Sequence, residues 1–167
     1  MTSSVSIRPA TSADRNDIRG AFVELQSFER ALHPSRPPGD EVADAYLDWM
    51  FARADESGAV LIAEDHVRFL GFVAGWIEER TNIAETPASN RFGYISDICV
   101  IPAFRGLRIA ERLLQAIELR LKRTGIDHLR LHVLAANRSA RTSYERAGFA
   151  PYEIVYERAL SARAAPA

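Results

Sequence analysis

The period of hydrophobic and polar positions changes several times along the chain, and each period predicts one type of element. Near the N-terminus Val5–Arg8 alternates between apolar and polar residues, as a short strand does, and Pro9 limits how far that strand can pair. A helical period follows, and His33-Pro34 ends it because the residue before a proline disfavours helical geometry. The apolar face of this first helix consists of Ile18, Phe22, Leu25 and Leu32.

The middle of the chain predicts a second helix and then a hairpin. Asp40 is a suitable N-cap for the helix, and Gly58 is a suitable stop. The predicted helix carries Tyr46, Trp49, Met50 and Arg53. Two strand-like runs, Ala59–Glu64 and Phe69–Glu78, are joined by a turn. The polar segment Arg80–Arg91 is predicted to be a long loop, and either a lid or a plain connection fits it.

From Phe92 onward the pattern predicts a strand, a helix, a strand, a helix and a strand. A strand, a crossover helix and a second strand imply a parallel pair at the centre of a sheet. The predicted elements are a strand Phe92–Val100, a helix Arg105–Arg123, a strand with Leu129, Leu131 and Val133, a helix Asn137–Ala147 and a strand Tyr152–Arg158. The Ala-rich tail, residues 161–167, is predicted to be disordered, so residues 1–160 form one predicted domain.

Composition narrows the possible partners. The formal net charge of −1 gives no general basic field, so no nucleic-acid partner is expected. The sequence lacks the ~20-residue apolar run of a membrane helix, so no membrane partner is expected either. Cys99 is the only cysteine and the N-terminus has no signal-peptide pattern, which predicts a cytoplasmic protein. The sequence leaves open whether the protein forms a homodimer.

The turn from the strand Phe92–Val100 into the next helix has the composition of an anion site. Backbone N–H groups at a helix N-terminus attract phosphate, and Gly106 and Ala110 allow a ligand to come close to the backbone. On glycine spacing alone, a plain strand-to-helix turn fits equally well. The segment matches neither the P-loop nor the dinucleotide-binding glycine pattern.

Val100–Leu114 resembles the signature of the GNAT acetyltransferase superfamily, in which Arg/Gln-x-x-Gly-x-Gly/Ala follows a strand end. That six-residue window is Arg105–Ala110 here, and Arg108 stands where the family usually has glycine. Arg108 either points outward or reaches a phosphate itself. A second segment, Asn137–Phe149, resembles the family's later signature of Asn, Ala-Arg, Tyr and Gly-Phe. Taken alone, Tyr144 would be a packed aromatic residue and Asn137 a helix cap.

The resemblance implies an α/β (α+β) GNAT fold: a mixed, mostly antiparallel twisted sheet with helices on both faces and a splayed central parallel strand pair, Phe92–Val100 and Ile126–Leu134. It also implies acetyl-CoA as the acetyl donor and no metal. The cofactor-binding residues implied by the resemblance are Ile98, Cys99, Val100, Arg105, Gly106, Leu107, Arg108, Ile109, Ala110, Asn137 and Tyr144.

In the family an amine attacks the thioester directly, so the resemblance implies that Cys99 is not needed as a nucleophile. Tyr144 is then the expected acid for the leaving thiolate. Many relatives have a glutamate just before the Asp97 position, but Ser96 stands there in this chain. Asp97 is the nearest carboxylate, although strand alternation places neighbouring residues on opposite faces. Glu29, His33 or a base acting through water are alternatives.

A metal site is not expected at His128 and His132, because no third ligand follows at suitable spacing. The amine acceptor, a small molecule or a peptide, is expected to enter beside the first two helices. The charged residues near that side are Glu24, Glu29, Arg30 and His33. The competing hypotheses are an inactive GNAT-like sensor that binds acyl-CoA and an interaction domain of a regulatory pair.

Overall fold

The computed structural model describes residues 5–66 and 68–160. Within these ranges most strands and helices lie where the hydrophobic pattern predicts them. In chain order they are β1 (Ser6–Pro9), α1 (Arg15–Leu32), α2 (Gly39–Ser57), β2 (Ala59–Asp65), β3 (Arg68–Glu79), α3 (Pro87–Asn90), β4 (Arg91–Val100), α4 (Ile109–Lys122), β5 (Leu129–Leu131) and α5 (Arg138–Arg146).

The strands form one sheet in the order β1-β2-β3-β4-β5. Neighbouring strands are antiparallel except β4 and β5, which run parallel as the crossover pattern predicts. This pair is bonded only between Gly93–Ile95 and Leu129–Leu131. Beyond Ile95, β4 has β3 on one side and no strand of the described chain on the other. We call the place where β4 and β5 separate, after Ile95 and Leu131, the splay point.

Gly93 allows the parallel pair to close at the end where it is bonded. A Cβ atom at Gly93 would lie 2.5 Å from Cδ2 of Leu129 and 2.6 Å from Cδ1 of Ile126, so any side chain here would force those two side chains to move. β4 and β5 therefore lie close together at Gly93 and separate two residues later, after Ile95.

Helices cover both faces of the sheet because each carries one apolar stripe. On one face α1 and α2 bury side chains against Phe72 and Trp76, which are fully inaccessible to solvent. On the other face α4 buries Leu113 and Ile117 against Val73. Burial of each such side chain stabilises the fold by about 1.5–3 kcal/mol, so the helices are fixed firmly relative to β4.

Two helix starts differ from the prediction. The helix predicted from Arg105 begins at Ile109, because Gly106 and Arg108 have positive φ angles of 80° and 58°, which a right-handed helix cannot contain. The second helix begins at Gly39 after Pro38, so Asp40 lies in the first turn and not at the cap. An acidic residue there still interacts favourably with the helix dipole.

The predicted loop Arg80–Arg91 is ordered and contains the short helix α3. The N–H of Arg80 donates to the carbonyl of Asn90 at 2.8 Å, which closes the base of the loop. The side chain of Asn90 makes two hydrogen bonds to the backbone of Asn82: its Oδ1 accepts from the N–H at 3.1 Å, and its Nδ2 donates to the carbonyl at 2.9 Å. Whether this segment acts as a lid stays a prediction.

The final strand predicted at Tyr152–Arg158 is wrong. This segment has no strand structure and is exposed throughout, with Tyr156 at 90%. Alternation of apolar residues gives a segment two faces, but a strand also needs a partner of similar length. The adjacent β5 offers only three residues.

Residues 161–167, predicted to be a disordered tail, lie outside the described residues, so that prediction and the domain boundary at residue 160 stay predictions. None of the helices in the described ranges combines the length and apolar character that crossing a membrane requires.

Candidate active site

A bulge in β4 places Ser96 and Asp97 on the same side of the sheet. In the register with β3, Ala74 is opposite Asp97 but Gly75 is opposite Ile95, so Ser96 is an extra residue. The alternation rule, which sends Ser96 and Asp97 to opposite faces, is therefore wrong at this position. Oγ of Ser96 donates a hydrogen bond to Oδ2 of Asp97 at 2.6 Å.

Asp97 is the buried carboxylate nearest the splay point, and its residue is only 9% exposed. The hydroxyl of Tyr46, on α2, donates to Oδ2 of Asp97 at 2.8 Å. Burial raises the pKa of Asp97, while the hydrogen bonds from Ser96 and Tyr46 act in the opposite direction. A carboxyl group with a raised pKa is suited to exchange protons nearer to neutral pH.

Tyr144, on α5, is half-buried beside Phe149, with ring centroids 6.1 Å apart. Burial, together with the negative charges of Glu29 and Asp97, raises the pKa of Tyr144 to about 12. Tyr144 packs at the margin of the hydrophobic cluster that holds α4 to the sheet, as do Ile98 and Val100 of β4. The phenol is protonated at neutral pH and can donate a hydrogen bond.

Cys99 is buried on the same face as Asp97. Its Sγ donates a weak hydrogen bond to the carbonyl of Ala21 at 3.5 Å. Burial raises the pKa of the Cys99 thiol to about 11. A buried thiol of this kind is a poor nucleophile, because the thiolate is the reactive form. The environment therefore supports a packing role for the side chain.

The turn between β4 and α4 presents backbone groups to solvent. A Cβ atom at Gly106 would have no atom within 4 Å, so the backbone there is open. Arg108 is left-handed, with φ 58° and ψ 22°, and no side chain of the described residues caps α4. The N–H groups of its first turn are therefore available to an anion. The left-handed conformation costs a residue other than glycine about 1–2 kcal/mol.

Side chains around this turn differ in their exposure. Ile109 is buried and fixes α4 to the sheet, whereas Leu107 is 63% exposed and Ala110 is half-buried. Nε of Arg105 donates to the carbonyl of Val100 at 3.1 Å. The carbonyl of Val100, on the uncovered edge of β4, therefore already accepts one hydrogen bond.

The side chains of Ile98 and Val100 pack toward α4, and the β4 backbone runs along the uncovered edge. Asn137 is 7% exposed, and its Oδ1 accepts a hydrogen bond from the N–H of Ala140 at 3.1 Å. Asn137 is therefore the N-cap of α5. Its contact with a cofactor stays a prediction.

The four charged residues expected beside the acceptor do not all approach Asp97. Glu29 accepts from Nε of Arg36 at 2.7 Å, and its charge contributes to the raised pKa of Asp97. His33 instead lies 2.8 Å from Oγ of Ser35. Glu24 is 3.8 Å from Arg105, and Arg30 is exposed. Of the alternative bases Glu29 and His33, only Glu29 contributes to the raised pKa of Asp97.

Two residues of this region carry a role that the sequence did not indicate. The sequence predicts Tyr46 only as a residue of the second helix, and it places Arg130 on one face of a strand between His128 and His132. Arg130 lies between the rings of Phe92 and Tyr152, each centroid 4.2 Å from its guanidinium carbon. Both residues act across long sequence separations, so no local spacing could have indicated them.

A groove of about 800 Å³ lies away from these residues, between the C-terminal ends of α2 and α4. Three of its four arginines are engaged: Arg53 bonds Glu78, Arg91 bonds Glu79, and Arg120 bonds the carbonyl of Gly58. None of the residues described above at the splay point lines this groove.

A mostly antiparallel five-stranded sheet, with one parallel pair that separates next to a strand–turn–helix anion site, is the GNAT fold. A sequence profile of the Acetyltransferase (GNAT) family matches residues 22–149. The chain therefore belongs to the Acetyltransferase (GNAT) family, as its two signatures predict.

Similar proteins agree with this assignment. An uncharacterised N-acetyltransferase of Bacillus subtilis (strain 168), YycN, is 31% identical over 88 residues, which cover 53% of this chain and 54% of that protein. The match thus spans about half the length of this relative.

Two solved structures share the fold. One is the aminoglycoside N-acetyltransferase AAC(6')-Iy in complex with CoA, with a TM-score of 0.72 and 19% identity over 97% of this chain and 98% of that one. The other is a GCN5-related N-acetyltransferase from Ralstonia eutropha JMP134, with a TM-score of 0.73 and 21% identity over 93% and 99%.

Proposed function

We propose that this protein is an N-acetyltransferase that transfers the acetyl group of acetyl-CoA to a primary amine by direct attack in a ternary complex. The observation that carries the proposal is the buried carboxyl group of Asp97, which Tyr46 and Ser96 hold beside the place where β4 and β5 separate. Acetyl-CoA would supply the acetyl group as a thioester. The acceptor is an amine of a small molecule or a peptide.

The donor side of the site fits a long ligand with phosphate groups at one end. The N–H groups at the start of α4, from Arg105 to Ala110, would hold the pyrophosphate, and the open backbone at Gly106 supports a close approach. The uncovered edge of β4 at Ile98–Val100 would bond the extended arm as a strand does. Asn137 and Tyr144 would contact the arm from α5.

On the acceptor side, Asp97 removes a proton from the ammonium form of the amine, because only the neutral amine has a free electron pair. The amine nitrogen then forms a bond to the acetyl carbon, and the bond from that carbon to sulfur breaks. The raised pKa of Asp97 supports this role, since a stronger base accepts the proton more readily.

Tyr144 interacts with the departing sulfur as a hydrogen-bond donor. Its pKa of about 12 is well above the ~8.5 of a free thiol, so complete proton transfer to the thiolate is uphill. The hydrogen bond stabilises the negative charge that develops on sulfur, and solvent supplies the final proton. We therefore expect a smaller dependence on Tyr144 than on Asp97.

The experiment is a titration of acetyl-CoA by calorimetry, followed by a screen of small amines, amino acids and peptides in which free thiol is measured. Binding together with thiol release on one class of amine supports the proposal, and the Asp97→Asn variant controls for spontaneous thioester hydrolysis. Binding without turnover on any amine would instead support an acyl-CoA sensor, which Ser96 in place of the usual glutamate makes the relevant alternative. Absence of binding would contradict both functions.

A further inference from the structure

Tyr46 brings a second helix into the neighbourhood of Asp97. Its hydroxyl oxygen lies 2.8 Å from Oδ2 of Asp97 and 3.1 Å from Oγ of Ser96. Ser96 also donates to Oδ2. Each hydroxyl has a single proton, so both protons point to one carboxylate oxygen. The hydrogen bonds to Asp97 thus end on Oδ2, and Oδ1 has no such bond from any described residue.

The ring of Tyr46 is held in place by its own neighbours. It stacks on Phe22 of α1 with centroids 4.4 Å apart and planes inclined by 16°. Trp49 lies against it at 5.3 Å. The helix behind it is anchored by Leu47 and Met50, which are fully buried. The hydroxyl is therefore presented to Asp97 by a rigid support and not by a mobile surface side chain.

We propose that Tyr46 is a positioning residue for the proton-accepting carboxylate: it holds Oδ2 of Asp97 and leaves Oδ1 to receive the proton of the amine. This inference rests on the proposed role of Asp97. Tyr46 itself does not exchange the proton, because burial and the charge of Asp97 raise its pKa far above neutral pH.

The consequence is a change in acidity that can be measured. Hydrogen bonds to a carboxylate stabilise its charged form, so loss of the Tyr46 hydroxyl raises the pKa of Asp97. Glu29 and Arg36, which also act on Asp97, have opposite charges and bond each other. They therefore do not offset the loss of the Tyr46 hydrogen bond. The remaining ionisable groups around it are Tyr94 and Cys99 on β4 and Tyr144 on α5.

The test compares Tyr46→Phe, which keeps the stacked ring, with wild type. The acid limb of the kcat/KM profile should move upward by roughly one pH unit, the effect of one hydrogen bond to a charged group. Ser96→Ala should move it in the same direction. Tyr94→Phe is the matched control: Tyr94 lies on the same strand beside His132 and Trp76 and does not bond Asp97, so the limb should stay in place.

A direct titration keeps the inference testable if no amine is acetylated. The carboxyl carbon of Asp97, labelled with ¹³C and assigned with Asp97→Asn, should titrate at higher pH in Tyr46→Phe than in wild type. An unchanged titration, or an equal shift in Tyr94→Phe, overturns the inference. Failure of the proposed function is distinguishable, because it would appear as absence of turnover in wild type with the carboxyl shift still present.

Discussion

The two sides of the active site are built differently. On the donor side, the anion site and its supporting residues lie within one turn and the start of α4, from Arg105 to Ala110. On the acceptor side, the group at Asp97 joins Tyr46 of α2, 51 residues away, with Ser96 of β4. One side depends on local backbone geometry and the other on contacts between distant side chains.

This difference determines what each side requires of the sequence. A backbone site needs residues that permit a conformation, and Gly106 with its open surroundings meets that need. A side-chain site needs the correct groups on several elements at the same time. We therefore expect substitutions on the acceptor side to affect turnover and those on the donor side to affect binding or stability.

The largest effect is expected for Asp97→Asn. The amide has nearly the same shape but cannot accept the amine proton, so turnover should fall by roughly 10²–10⁴-fold, the usual contribution of a general base. Acetyl-CoA affinity should change little, because Asp97 lies apart from the turn that is proposed to hold the phosphates. Steady-state kinetics and calorimetry on the same preparation measure both effects.

The Asp97→Asn variant also tests whether burial disfavours the charged form of Asp97. The folded protein raises the pKa of Asp97, so it favours the neutral carboxyl, and stability from this group is lost as the pH rises through the folded pKa. Asp97→Asn should thus be at least as stable as wild type at pH 8 in urea unfolding, with any advantage reduced at pH 4. A variant less stable only at pH 8 would contradict the raised pKa.

A smaller loss is expected for Tyr144→Phe. The ring and its contact with Phe149 remain, but the hydrogen bond to sulfur is removed. We expect kcat to fall by about tenfold, near the ~1.4 kcal/mol of a single hydrogen bond, with acetyl-CoA affinity retained. Single-turnover rates of acetyl transfer measure this without interference from product release. A rate equal to that of wild type would remove Tyr144 from the mechanism.

The sequence predicted the backbone elements of the donor side well because their signals are local, whereas phosphate binding there stays a prediction. The strands, the crossover helix and the turn follow from periodicity and from one short signature. The hydrogen-bonded set of Asp97, Ser96 and Tyr46 could not be predicted, because it depends on the bulge at Ser96 and on the packing of α2 against the sheet. The missing strand at Tyr152–Arg158 has a similar cause: alternation predicts a strand, but only the tertiary structure supplies or withholds its partner.

Asn137→Ala tests whether this residue acts chiefly as a helix cap. Its side chain bonds the N–H of Ala140, and loss of such a cap destabilises by about 0.5–2 kcal/mol. Thermal unfolding should report a lower Tm, and Asn137→Asp, which keeps a capping oxygen, should recover most of it. If Asn137→Asp restores stability but acetyl-CoA still binds weakly, the side chain also contacts the ligand, as the family resemblance implies.

The smallest effect is expected for Arg108→Gly, where the backbone on the donor side is strained. Glycine removes the ~1–2 kcal/mol cost of a left-handed φ but adds ~0.5–1 kcal/mol of unfolded-state entropy, so the net result should be a stabilisation of up to about 1.5 kcal/mol. The control is Arg105→Gly, at an ordinary φ of −66°, where glycine relieves no strain and the variant also loses the hydrogen bond to the carbonyl of Val100, so a lower Tm is expected. Equal losses of Tm in the two variants would show that Arg108 is not strained. Acetyl-CoA affinity should stay within a few-fold, because N–H groups remain at both positions, whereas a loss beyond tenfold would show that the Arg108 guanidinium contacts the phosphates.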